Sequence, residues 1–258
     1  MKLKLRLVYR LSAVIVLFAY GLVLAGLVFP VLGVLSSANK AKKRRDAIKQ
    51  NWLNNFSSIL KLHITQEGNL PEDGSLLVSN HISWLDIVVI GKFLPAYFVA
   101  KSDISGWPVV GFLARQAGTI FIRRGDKKHI REINERMIWL LKQHSNIIAF
   151  PEGTTTNGDD VLGFHASLFQ PAILTKSPIQ PIALEYIGVS KELAPFIGDD
   201  DFVSHLIRML KMDKIEVVIS CLPVIRSAGR DRLSVSHEAR ESIVDKISLN
   251  IELASVYE

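Results

Sequence analysis

Residues 11–35 form an almost unbroken apolar run. As a helix rising 1.5 Å per residue it would measure about 37 Å, more than the roughly 30 Å of a bilayer's hydrocarbon core. Behind it, Ile48, Trp52, Phe56, Ile59 and Leu60 recur at helical spacing, with Lys49 and Asn54 between them. That pattern predicts an amphipathic helix facing either the protein core or a lipid interface. From residue 75 onward, short β-type runs alternate with helical patterns. Strands are expected at 76–79, 97–100, 119–122, 147–150, 179–184 and 216–220, and helices at about 84–93, 108–117, 128–143, 164–174 and 235–254. Pro108 suits a first helical position. The alternation predicts an α/β layered domain, a mixed, mostly parallel sheet flanked by helices. An N-terminal membrane helix and the amphipathic helix precede it, in residues 1–64, with the layered domain in 65–258. Ligands of such sheets collect beyond the strand ends.

Composition narrows the setting. With 258 residues and 48% hydrophobic content, the chain can bury one sizeable core, and 22% charged residues argue against long disorder. The basic start (Lys2, Lys4, Arg6, Arg10) resembles a signal peptide, but the apolar run is longer than the usual h-region of about 7–15 residues. An anchor is therefore expected. A second basic cluster (Lys40, Lys42, Lys43, Arg44, Arg45) follows it and places the larger domain on the cytoplasmic side of the inner or plasma membrane. Basic residues on both flanks, with Gly21, Gly26, Pro30 and Gly33 inside, also permit a bent segment that enters and leaves on one side. The net charge of +6 fits anionic lipid. No interleaving of basic and aromatic residues speaks for nucleic acid. The single cysteine, Cys221, leaves no disulfide framework and no Cys-based zinc site, and its place after Val217-Val218-Ile219 suits a buried thiol.

Three clusters carry chemistry. In Asn80-His81-Ile82-Ser83-Trp84-Leu85-Asp86 the five-residue spacing from His81 to Asp86 cannot work on one regular helix, where it turns the side chains about 140° apart. It works if His81 sits in the loop after strand 76–79 and Asp86 in the first turn of the next helix. The carboxylate then fixes the imidazole tautomer and leaves the other nitrogen free as a base. Ser83 to Asp86 also reads as a capping box, and the two readings are compatible. Phe150-Pro151-Glu152-Gly153-Thr154 follows a strand. It is either a punctuated turn or a place where Gly153 admits a close approach while Glu152 and Thr154 bind hydroxyls. Arg123 and Arg124, at the end of Gly118-Thr119-Ile120-Phe121-Ile122, form either a solvated strand end or an anion site, since the guanidinium fork suits phosphate.

In this order, these blocks closely resemble the phosphate-acyltransferase superfamily of glycerolipid synthesis, which includes the 1-acyl-glycerol-3-phosphate acyltransferases. The Asn-His-x4-Asp block matches Asn80 to Asp86, Gly-x-Ile-Phe-Ile-x-Arg matches Gly118 to Arg124, and Phe-Pro-Glu-Gly-Thr matches Phe150 to Thr154. A short apolar run around a proline matches Ile179 to Ile182. The resemblance implies direct transfer of an acyl group from acyl-CoA or acyl carrier protein to a lysolipid hydroxyl. His81 is then the base and Asp86 its support. Asn80, Arg123, Arg124, Glu152, Gly153 and Thr154 would serve the acceptor, and Pro181 the acyl-donor side. It implies no metal and no cofactor beyond that co-substrate. Partners are the lysolipid, the acyl donor and the bilayer.

Two departures bear on the acceptor. Thr155-Thr156-Asn157-Gly158 stands where phosphate-handling members continue with Arg-Ser, and Gln180 replaces a small apolar residue. Both resemble the lyso-ornithine lipid branch, which acylates an amino-acid lipid. Lysophosphatidic acid, giving phosphatidic acid, is the first expectation, and lyso-ornithine lipid the alternative. A thioester or ester hydrolase using the His81–Asp86 dyad is the competing class. No Gly-x-Ser-x-Gly elbow supports a serine hydrolase.

Overall fold

The computed structural model describes residues 2–123 and 127–256. Within them, β1 (Leu62–Glu67), β2 (Leu76–Ser79), β3 (Ala96–Lys101), β4 (Ile120–Ile122), β5 (Asn146–Ala149), β6 (Ile179–Tyr186) and β7 (Ile215–Cys221) form one sheet. Its spatial order is β1-β7-β6-β2-β5-β3-β4. Strands β6, β2, β5, β3 and β4 run parallel, β7 runs antiparallel to β6, and β1 pairs parallel with β7. The mixed, mostly parallel sheet is the expected one. Central strands β2 and β5 read Leu-Leu-Val-Ser and Asn-Ile-Ile-Ala and are buried at every position, as strands covered on both faces must be. Strand β1 was not expected. It is an edge strand in which only Leu62 is buried, so its apolar signal is weak.

The helices are α1 (Lys2–Val23), α2 (Phe29–Leu35), α3 (Ala38–Leu60), α4 (Leu85–Phe93), α5 (Val110–Ala117), α6 (Lys127–Lys142), α7 (Gln170–Thr175), α8 (Val189–Leu193), α9 (Phe202–Lys211) and α10 (Arg232–Val256). Alternation along β2 sorts the core into two layers. Leu77 faces α1, α3, α4 and α9, while Leu76 and Val78 face α6, α7 and α10. The helix expected at 164–174 is a 3₁₀ turn, Ala166–Phe169, followed by α7. The helix expected from 108 begins only at Val110, because Val109 adopts φ +61° and the Val110 N–H turns back to the Pro108 carbonyl. A β-branched residue at positive φ is strained, and this tight turn delays the helix start to two residues after the proline.

The N-terminal apolar run forms α1, a π-helical turn at Leu24–Val28, and α2. After Ser36 and Ser37 the chain reverses and α3 runs back alongside. The Phe18 ring lies 5.2 Å from Trp52 and 5.5 Å from Phe56, and the Trp52 indole donates to the Leu17 carbonyl at 2.9 Å. Gly21 permits this approach, since a Cβ there would stand 2.9 Å from the indole nitrogen. Further along, the Arg45 guanidinium sits over the Phe29 ring at 5.7 Å. The other end of α1 is fastened to the layered domain. Buried Arg10 donates to the carbonyls of Leu210, Met212 and Asp213 at the end of α9, where helix carbonyls lack partners and the dipole is negative. Among the described residues one helical stretch, Lys4–Leu35, is long and apolar enough to cross a bilayer. Its outward face exposes Leu5, Tyr9, Val16, Val23, Leu27 and Val34.

Candidate active site

Loops at the carboxyl ends of β2 and β5 meet around His81. Strand β2 ends at Ser79, His81 lies in the loop beyond it, and Asp86 is the second residue of α4. This is the arrangement that the five-residue spacing requires. His81 Nδ1 lies 2.8 Å from Asp86 Oδ2. The ionised carboxylate only accepts, so Nδ1 carries the proton and the Nε2 lone pair is free to act as a base. The same oxygen accepts the backbone N–H groups of Ile82 at 2.8 Å and Ser83 at 3.0 Å. Half of the expected capping box is thus present. Asp86 returns its bond to Ser83, whereas the buried Ser83 hydroxyl finds no partner among the described residues.

The ring of His81 stacks on Phe150, with centroids 4.0 Å apart and planes 16° from parallel. Its backbone is held on both sides. The His81 N–H donates to Glu152 Oε1 at 2.7 Å, and its carbonyl accepts the Thr156 N–H at 2.8 Å. Glu152 Oε2 accepts the Leu162 N–H at 2.8 Å, so both carboxylate oxygens are spent on backbone. Burial pushes the Glu152 carboxyl above the usual carboxylate range, and the two N–H bonds oppose that rise.

Asn80 is likewise consumed by the frame. Its amide donates to the Leu184 carbonyl at 2.9 Å and accepts the Leu184 N–H at 2.8 Å. The side chain thereby extends the pairing of β2 with β6 by one residue and is 1% exposed. Asn80 and Glu152, expected at the substrate, therefore hold the His81 loop. Pro181 is buried in β6, opposite Val78 of β2, and is not among the residues lining the cavity beside His81. Its block lies on a sheet strand. Gly153 and exposed Thr154 do line the cavity, Gly153 with φ +70°. Arg123 is exposed directly after β4, and Arg124 lies outside the described residues.

The cavity measures about 780 Å³ and runs between the helical hairpin and the sheet domain. Phe18 lines it from α1, Leu24 from the π-helical turn, Trp52 and Phe56 from α3, and Trp84 and Phe150 from the His81 end. Such a space suits an alkyl chain whose head reaches His81.

Trp84 carries a contact that no sequence pattern announced. Its indole N–H donates to His205 Nδ1 at 3.0 Å, while His205 Nε2 faces the carbonyls of Ala194 at 3.1 Å and Pro195 at 3.2 Å. The imidazole is therefore neutral, with the proton on Nε2. Burial first, and then Arg208, lowers its pKa. The segment past Pro195 is tied to the same loop, since the Phe196 N–H donates to the Ile82 carbonyl at 2.9 Å and the Thr155 hydroxyl to the Phe196 carbonyl.

Comparison with known proteins adds independent findings. A family model described as Acyltransferase matches residues 61–185. The chain is 38% identical over 242 residues to a Pseudomonas aeruginosa protein named lyso-ornithine lipid O-acyltransferase, covering 93% of each chain. It is 32% identical over 185 residues to a Neisseria gonorrhoeae protein named 1-acyl-sn-glycerol-3-phosphate acyltransferase, covering 70% of this chain and 72% of that one. Its fold is similar to the crystal structure of the lysophosphatidic acid acyltransferase PlsC from Thermotoga maritima. The TM-score is 0.70 at 21% identity, over 94% of this chain and 96% of the other.

Proposed function

The chain belongs to the acyltransferase family, and on that premise we propose that it carries an acyl group from acyl-CoA or acyl carrier protein to the hydroxyl of lyso-ornithine lipid. The observation that carries the reaction is the 2.8 Å bond from His81 Nδ1 to Asp86, which leaves Nε2 free beside an apolar cavity. Nε2 takes the proton of the acceptor hydroxyl as its oxygen attacks the thioester carbonyl carbon. Asp86 stabilises the imidazolium. When the C–S bond breaks, the thiolate leaves with the proton that Nε2 returns, and the products are an ester and a free thiol. The acyl chain lies in the cavity between Trp84 and the hairpin.

The acceptor is argued from two observations. The relative named for lyso-ornithine lipid matches along 93% of both chains. The Thr155 hydroxyl and the Thr156 N–H are spent on Phe196 and His81, so this stretch brings no cation where phosphate-handling members carry one. Lysophosphatidic acid is the second reading, favoured by exposed Arg123 at a strand end and by the Neisseria relative. We place the protein on one membrane face, on the cytoplasmic side. The polar first half of α3 lies against the apolar helix and Arg10 is docked on α9, which suits a hairpin lying in the interface better than a span.

Purified protein offered both lysolipids side by side with an acyl thioester tests the reading. Ester formation on the amino-acid lipid is expected, with His81→Ala slowing it at least about 100-fold while leaving the fold intact. Preference for lysophosphatidic acid would replace the acceptor. Release of free fatty acid without any lysolipid would replace transfer by hydrolysis.

A further inference from the structure

Asp86 is fully buried, and among the described residues no cation is paired with it when His81 is neutral. Its charge is supported by donors alone. Oδ2 takes three, from His81, Ile82 and Ser83. Oδ1 takes one, the hydroxyl of Tyr186, at 2.8 Å. Tyr186 ends β6, two residues beyond the Leu184 backbone that Asn80 grips, so the two positions face the same layer. Side-chain bridges from the His81 loop therefore meet β6 at consecutive inward positions.

We propose that Tyr186 is a positioning residue for the transfer reaction, whose hydroxyl fixes the plane of the Asp86 carboxylate and sets how strongly that carboxylate holds the imidazolium of His81. This inference rests on the acyl-transfer reading of the same dyad. One oxygen of Asp86 serves the catalytic loop, and the geometry gives the other to the sheet. Without the Tyr186 hydroxyl, Oδ1 is a charged acceptor with no partner in an apolar layer. The carboxylate then rotates, takes up a proton more readily, or concentrates its charge on Oδ2. Each response makes a neutral, correctly aimed imidazole rarer at the acid end of the working range. Burial, followed by the Asp86 charge, raises the tyrosine well above its ordinary value, so it stays a donor at any pH the enzyme meets. Around His81 the ionisable groups are Asp86, Glu152 through the His81 backbone, and His165, Asp46, Lys49, Lys101 and Asp103, which share the cavity lining. Of these, Asp86 is the one bonded to Tyr186, so a change there reaches His81 through Asp86.

The test compares the full-length protein with Tyr186→Phe and with 3-fluorotyrosine at 186, which keeps the packing and donates more strongly. For Tyr186→Phe, kcat falls about tenfold with both KM values within twofold. The acid limb of kcat/KM moves to higher pH. The fluorinated side chain restores kcat and moves the limb the other way. Histidine-labelled NMR of the same proteins follows the Nδ1 proton of His81, and that resonance shifts in opposite directions in the two variants. An unchanged limb and resonance in a folded Tyr186→Phe protein, or a loss that appears only in KM, would overturn the proposal. The NMR arm needs no substrate, so absence of acyl transfer in the unaltered protein would remove the proposed reaction and still leave Tyr186 judged.

Discussion

Glu152 accepts the backbone N–H of His81 at 2.7 Å through one carboxylate oxygen and that of Leu162 at 2.8 Å through the other. A residue expected at the acceptor thus acts as a staple between the loops after β2 and β5. Glu152→Gln keeps one acceptor and turns an NH₂ against an N–H at the other. Thermal unfolding should report a loss of about 1–3 kcal/mol. Steady-state kinetics should show kcat reduced about 10- to 100-fold with the acceptor KM nearly unchanged. A raised acceptor KM at full kcat would return Glu152 to headgroup binding.

His205 gives stability a pH dependence. Its folded pKa is lowered, chiefly by burial, so the unfolded chain takes a proton first as pH falls through about 6.5. The contribution of neutral His205 is present above that pH and is lost below it. Protonating Nδ1 would also set two donors face to face with Trp84. Melting curves between pH 7.5 and 5, an interval chosen around the histidine range, should slope less for His205→Gln than for the unaltered protein. Parallel slopes would discard the contribution.

Chain-length preference should follow the hairpin end of the cavity. Ala25 lines the cavity and is 3% exposed. Ala25→Phe fills space there without touching His81. Each methylene excluded costs about 0.8 kcal/mol of burial. Competition between long and short acyl thioesters should therefore swing towards the short donor by roughly fourfold per methylene lost. An unaltered ratio would place the chain elsewhere.

The exposed face of the first helix should govern membrane attachment. Val16 is 67% exposed and Val23 51%. The double variant Val16→Glu, Val23→Glu should lose co-sedimentation with anionic vesicles. Its melting temperature should change little, because both residues are more than half exposed. Retained binding would exclude this face as the lipid contact.

Much of the site was legible because its chemistry is local. The strand at 76–79 and the helix after it follow from apolar runs, and the His81–Asp86 geometry follows from the boundary between them. What sequence could not show is which polar groups are spent on the frame. Asn80 meets Leu184, Asp86 meets Tyr186, and Trp84 meets His205 across separations of 100 residues or more. Such bonds have no period to read. Tyr186 carried one faint cue, since it continues the inward phase of Leu184 past the expected strand end. Strand β1 was missed for a different reason. An edge strand with one buried side chain alternates too weakly to register.

The cavity wall has two owners. Phe18, Leu24 and Trp52 come from the hairpin, while Trp84, Leu113 and Phe150 come from the sheet domain. Neither part encloses a chain by itself. Any ligand that requires both therefore clamps them together, and the clamp acts reciprocally. At a hundredfold excess over its dissociation constant, a bound acyl chain would oppose separation of the hairpin by about 2.7 kcal/mol. On the proposed reaction, departure of the diacyl product would relax the same joint, and each turnover would tighten and then loosen the hairpin against the sheet domain.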